Sequence, residues 1–142
     1  MAYEESLRTI SLDADSSLAV YTGVPGQPGS LSPNSGNLYK FVKVTGAHQC
    51  GLATAAANEV VVGVLNNKPQ VTNMAATVAI GGVSFVVAGT GGVTAADGVK
   101  VESSTGKGVT WVAGTDDPDL QVGVALGSAS AGALFPCLLR LR

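Results

Sequence analysis

Charge is what this sequence of 142 residues has least of. Asp, Glu, Lys and Arg make up 13% of it, against about 25% in a typical soluble domain. A net charge of −2, with no cluster of Lys and Arg, leaves no electrostatic footprint for nucleic acid, which binds a basic face. Weak charge also means little repulsion between molecules. Either neutral Ser, Thr and Gly coat the outside, or partners cover part of it.

Aromatic residues are nearly as scarce. At 5% with a single Trp, there is little material for the stacked platform that sugar binding uses. The only histidine is His48, and no Ser or Cys sits in a nucleophile elbow, so nucleophilic catalysis has no visible constellation. Nothing singles out a carboxylate pair for glycoside hydrolysis. No catalytic residue is assigned.

Long apolar runs are missing too. The stretch between Lys68 and Asp97 has no charge, yet Thr72, Asn73, Thr77, Ser84 and repeated Gly keep it short of the roughly 20 apolar residues of a membrane span. The N-terminal MAYEESLR carries Glu4 and Glu5 where a secretory signal has positive charge and an apolar run. No membrane partner and no export signal are expected.

The two cysteines, Cys50 and Cys137, are expected as buried small hydrophobes and not as a disulfide. His48-Gln49-Cys50 presents two ligand types on one extended segment, but a zinc site needs more ligands than the sequence offers. Asp116, Asp117 and Asp119 around Pro118 could suit calcium, yet they lack the Gly and distal Glu of an EF-hand loop. Acidic residues beside Pro are also ordinary turn formers. No metal and no cofactor are assigned.

What the sequence does have is valine-rich runs broken by Asn-Asn, Gly-Gly and Asp-Gly, the pattern of strands joined by tight turns. A single all-β domain is expected, long enough to bury roughly 68–70% of its unfolded surface. Residues 1–37 read as an extended N-terminal arm with one or two short strands, followed by the loop TGVPGQPGSLSPNSGN. Loops of that length are mobile or engaged with a partner, so arm and loop either form a flexible surface segment or lie across a neighbouring subunit. Residues 38–142 read as the body, a small β-barrel or β-tulip built from hairpins.

Within that body the expected strands are Leu38 to Val44, Gln49 to Thr54, Glu59 to Leu65, Val99 to Val101, Val109 to Ala113, Leu120 to Leu126 and Ala133 to Leu141. Ala75 to Ile80 and Val83 to Ala88 are expected to form a hairpin around Gly81-Gly82, with Val83, Phe85 and Val87 on one face. Trp111 is expected as the largest packing element. Gly63 and Gly123 interrupt two similar runs, which marks bulges or close backbone approaches at equivalent bends. Pro136 within the last strand points to an edge or a bulge.

Two stretches imitate phosphate and dinucleotide sites. SSTGKG, residues 103–108, lacks both the first Gly and the final Ser or Thr of a phosphate loop. GTGGVT, residues 89–94, has Thr94 in place of the third Gly of a dinucleotide fingerprint. Both read as turns.

The succession NEVVVGVLNNKP, ATVAIGGVSFVVAG, GVTAADGVKVESSTGKGVTWV and QVGVALGSASAGALFPCLLR resembles the head decoration, or capsid cement, proteins of tailed bacteriophages. The resemblance runs from about Leu38 to the C-terminus and rests on structural, glycine-based motifs. It implies a compact β-barrel-like subunit, commonly a homotrimer, bound through the major capsid protein to the outer surface of the virion shell, which it stabilises. It also implies no enzymatic activity and no cofactor. The other classes left open are a tail or fibre component and a carbohydrate-binding domain.

Overall fold

The run Ala75–Val87 forms one 13-residue strand, and the rest of the chain is arranged along it. The computed structural model describes residues 6–20 and 36–141. They hold β1 (Arg8–Ala14), β2 (Phe41–Gly46), β3 (Gln49–Leu52), β4 (Val61–Leu65), β5 (Ala75–Val87), β6 (Gly98–Val101), β7 (Gly108–Trp111), β8 (Gly123–Ala125) and β9 (Leu134–Leu139). A single 3-10 turn at Pro118–Leu120 is the one helical element among the described residues. The fold is all-β, as expected.

The first part of β5 pairs with β1 and β4. Since β1 also pairs with β3, β3 with β2, and β2 with β4, five strands close into a barrel. A closed ring leaves no exposed edge in that half. The second part, Gly82 to Val87, pairs instead with β9, and β8, β6 and β7 follow in order. A lone bridge between Ala88 and Gly108 brings β7 back to the end of β5.

Gly81-Gly82 is therefore not a hairpin turn but the point where one strand changes sheets. Gly82 has φ +82, and a Cβ there would stand 3.0 Å from the Ser6 carbonyl oxygen. Gly accepts that backbone and that close approach where other residues would strain. Ile80, opposite the register shift between Arg8 and Thr9, adds a bulge. Even-numbered residues point into a core on both sides of this crossing, but into different ones: Ala76 and Val78 belong to the barrel core, Val86 and Ala88 to the second core.

In its described part, the stretch read as an arm over residues 1–37 supplies one strand, β1, which pairs with β5. In RTISLDA, Ile10 and Leu12 pack on the barrel core while Thr9, Ser11 and Asp13 face out. This is the alternation of a half-buried strand. Ala14 is fully buried, and Leu18, 1% exposed, joins the barrel core. The Ser17 hydroxyl accepts the Leu52 N–H at 2.7 Å, and Asn37 Nδ2 donates to the Ser17 carbonyl at 2.7 Å. Residues 1–5 and 21–35, with most of the Pro/Gly-rich loop, lie outside the described residues.

The second core contains Val86, Val99, Ala125, Phe135 and Leu139 from the second sheet, together with Phe41, Val64 and Ala79 from barrel strands. Phe41 and Phe135, both fully buried, are its largest members, and each such ring contributes about 1.5–3 kcal/mol by leaving water. Trp111, expected in that role, is only half-buried. Its indole N–H donates to the Asp117 carbonyl at 3.0 Å.

Pro136 is likewise in neither expected place, since β9 runs between β5 and β8. Its carbonyl accepts the Leu126 N–H just beyond the end of β8. In an antiparallel strand a residue's nitrogen lies on the same side as its carbonyl. The missing N–H thus faces the Leu126 carbonyl, just beyond the last residue of β8, and the ring rests against Gly127.

Candidate interaction surface

The structure leaves the residues named for chemistry apart. His48 sits at φ 55 in the β2–β3 turn, and Cys50 and Cys137 are buried free thiols. Burial pushes the Cys50 thiol up to about 11, helped by Asp15 and Asp13. Burial also pushes Cys137 up to about 12, against a backbone hydrogen bond from Val124. Neither has the thiolate character of a nucleophile or a ligand at neutral pH.

The acidic triplet does not converge. Asp116 pairs with Lys100 at 2.5 Å and accepts the Val112 N–H at 2.7 Å. Asp117 caps the 3-10 turn by accepting the Asp119 N–H. These are the turn-forming roles open to Asp beside Pro. Among the described residues no three His, Cys, Asp or Glu side chains group as a metal site. SSTGKG makes the turn between β6 and β7, with Ser104 and Gly106 at positive φ.

Sequence reasoning did not single out Glu59. Its side chain is 4% exposed and meets Lys43 at 3.0 Å. It also accepts from the Thr54 N–H and hydroxyl and from the Ala55 N–H. Burial would raise its pKa, but the hydrogen bonds from Thr54, Lys43 and Ala55 outweigh it and hold the carboxyl below its usual range. Glu59 thereby fixes the loop from Thr54 to Val60. That loop walls a pocket of about 210 Å³ against Leu120, Val122 and Leu141.

The larger feature is the outer face of the second sheet. Register sets Val83 beside Leu138, Leu138 beside Val124, Val124 beside Gly98 and Gly98 beside Trp111. One row of side chains thus crosses all five strands on one side. A Cβ at Gly98 would stand 3.1 Å from the Trp111 ring, which agrees with that placement. Next to this row, Phe85 opposes Pro136 and Val87 opposes Leu134. Phe85 is 52% exposed and Leu134 47%.

Tyr39 borders the same face, its ring edge-on to Phe85 at 6.2 Å. It adopts φ 61, a conformation that costs a non-glycine residue about 1–3 kcal/mol. Two backbone hydrogen bonds hold it there, from its N–H to Leu65 and to its carbonyl from Val87. Among the described residues Phe41 and Phe135 fill the core, and the other aromatic rings, Tyr39, Phe85 and Trp111, all border this face.

The alternation of Val83, Phe85 and Val87 was legible, but its direction was not. These three are the larger side chains, so hydrophobicity alone turns them inward, whereas Ser84, Val86 and Ala88 are the buried set. The crowded interior decides it. Val86 and Phe135 pack with the backbone of Gly108, and that space admits small residues only. The surplus apolar bulk is left on the outside.

No protein-family model matches the chain, and no curated protein does. Among solved structures it is similar to the head fiber gp8.5 N base in bacteriophage phi29, at 18% identity and a TM-score of 0.60, over 94% of this chain and 95% of that one. What the two chains share is the fold, along nearly their whole lengths.

Proposed function

We propose that this chain is a structural, non-enzymatic module of a bacteriophage virion, attached to the outside of the head. The observation that carries this reading is the end-to-end likeness to a head fibre base. Its sequence motifs, which resemble capsid decoration proteins, point to the same location. The outer apolar face supports it as well, because a head-surface protein works through buried interface and not through a reaction centre. Its partners are then the major capsid protein and further copies of itself, arranged as a homotrimer, so that several weak contacts on one shell sum to tight attachment.

Within that reading two roles differ in what they do to the shell. A cement protein stabilises the expanded head, whereas a fibre base anchors an appendage. A carbohydrate-binding role fits the site less well. Sugar recognition needs several convergent polar groups, while the aromatic rings here stand among Val, Leu and Pro.

The test uses heads assembled without this chain. Purified full-length protein added in rising amounts should co-sediment and saturate at a fixed ratio to shell subunits. Heads that then resist heating better assign the cement role, and unchanged heat resistance with full occupancy assigns the fibre-base role. No retention on heads overturns the proposal.

A further inference from the structure

We infer that the pocket between the loop over residues 54–60 and the second sheet receives an extended segment of another polypeptide, which pairs with β6 at Val101 and buries one apolar side chain. The backbone selects the occupant. The Glu102 N–H donates to the Lys107 carbonyl at 2.8 Å. In the β6–β7 register the residues bonded to β7 are then Lys100 and Gly98, while Val99 and Val101 turn their N–H and C=O groups to the other side. The Val99 carbonyl does accept the Val122 N–H there, at 2.8 Å. Two residues on, β8 does not reach Val101. It starts at Gly123, and the chain before it folds back, with the Leu120 and Gln121 N–H groups bonded to the Asp117 and Pro118 carbonyls.

The edge of β6 therefore ends in the pocket, where Val101 is a wall residue and only 7% exposed. Backbone groups withdrawn from bulk water are paired, and an added strand supplies the matching donor and acceptor. A residue paired with Val101 places its side chain on the same face as that of Val101. That is the inner face, packed on the second core beside Val122, Val61 and Leu141, which are also walls of the pocket.

Size and charge choose that side chain. The pocket holds about 210 Å³, and a dry cavity of roughly 150 Å³ takes a benzene ring, so one leucine-sized or phenylalanine-sized group fits. Of the charged wall residues, Glu59 is paired with Lys43 and Lys100 with Asp116. An acidic side chain would meet Asp119 at the rim and lose hydration without gaining a counter-charge. One pair of backbone bonds and one buried side chain make a weak contact, roughly millimolar. This inference concerns the free protein and a peptide, so it stands or falls separately from retention on heads.

The test titrates the 15N-labelled full-length chain with acetyl-Gly-Leu-Gly-amide and follows amide chemical shifts and amide exchange. Saturable shifts should centre on Val101, Gln121 and Val122, and bound peptide should slow exchange of the Val101 amide. The same peptide N-methylated at its leucine, which lacks the donor for the edge, and an Asp-centred peptide should each bind at least about tenfold more weakly. Leu120→Asp should weaken binding likewise, and Val60→Asp, at a wall residue 61% exposed, serves if the first variant does not fold. Leu134→Asp, 47% exposed on the outer face of the same sheet, should bind as the wild type does. No saturable shift up to about 10 mM peptide, equal binding of the N-methylated peptide, or a folded Leu120 or Val60 variant that binds like the wild type overturns the inference. So does a Val101 amide already protected in the free protein, since this chain would then pair the edge itself.

Discussion

Gly63 and Gly123 occupy the same place in two similar runs, Val-Gly-Val, and both are close backbone approaches. A Cβ on Gly63 would stand 2.1 Å from the Ala79 carbonyl oxygen, and one on Gly123 would stand 2.6 Å from Cys137 Sγ. Forcing a methyl group into such a site costs about 1–3 kcal/mol. Gly63→Ala and Gly123→Ala should each lose that much in urea unfolding. Gly36→Ala, with nothing within 4 Å, should stay within about 0.5 kcal/mol of the wild type. Equal losses at all three would refute the close-approach account.

Two further predictions belong to single side chains. Because burial raises both thiols, a thiol reagent at pH 8 should titrate neither cysteine of the described fold in the native protein and both in denaturant. Rapid labelling of native protein would contradict their burial. Glu59, held below its ordinary value of 4.5, stabilises the fold above that pH. The contribution disappears as pH falls through its folded pKa. Glu59→Gln should therefore lose about 1–3 kcal/mol at neutral pH and show a shallower decline in acid. Identical acid limbs for wild type and variant would count against this role.

At the scale of elements, β5 decides how the molecule holds together. It supplies residues to both cores, and barrel residues Phe41 and Val64 reach into the second core. Neither half can lose its packing without exposing the other, so urea unfolding should follow one transition by fluorescence and by circular dichroism. Amide exchange should be slowest in the middle of β5. Val86→Ala should cost about 2–3 kcal/mol through the cavity it leaves, with both halves still melting together. Two separated transitions would mean that the halves are independent.

The strands were largely legible as elements because their Val-rich runs are bounded by Gly, Asn and Pro. β3, β4 and β9 fall within the expected segments, β2, β6 and β7 overlap theirs but extend one or two residues beyond, and only part of the Leu120 to Leu126 run pairs, as β8. What was not legible was partnership. Gly81-Gly82 has the local signature of a turn, and only pairing with β9 on one side of it and with β1 and β4 on the other makes it a crossing point. The N-terminal alternation is carried by Ile10 and Leu12 alone, too little to distinguish a barrel strand from an arm. Pro136 is tolerated between two strands because its neighbour ends at Ala125, which no sequence pattern reveals.

The outer apolar face was hidden for the same reason. Phe85 looks like a core residue by composition and lies outside only because the interior is full.

For the whole molecule, a closed barrel and a second sheet are fused through β5, and the outer side of that sheet is an apolar face. The most direct test is electron cryo-microscopy of phage particles made with and without this chain, compared as difference maps. The account predicts density of this size on the outer surface of the head, in fixed relation to the shell subunits and absent from the deletion particle. Difference density confined to the tail, or none on the head surface, would contradict it.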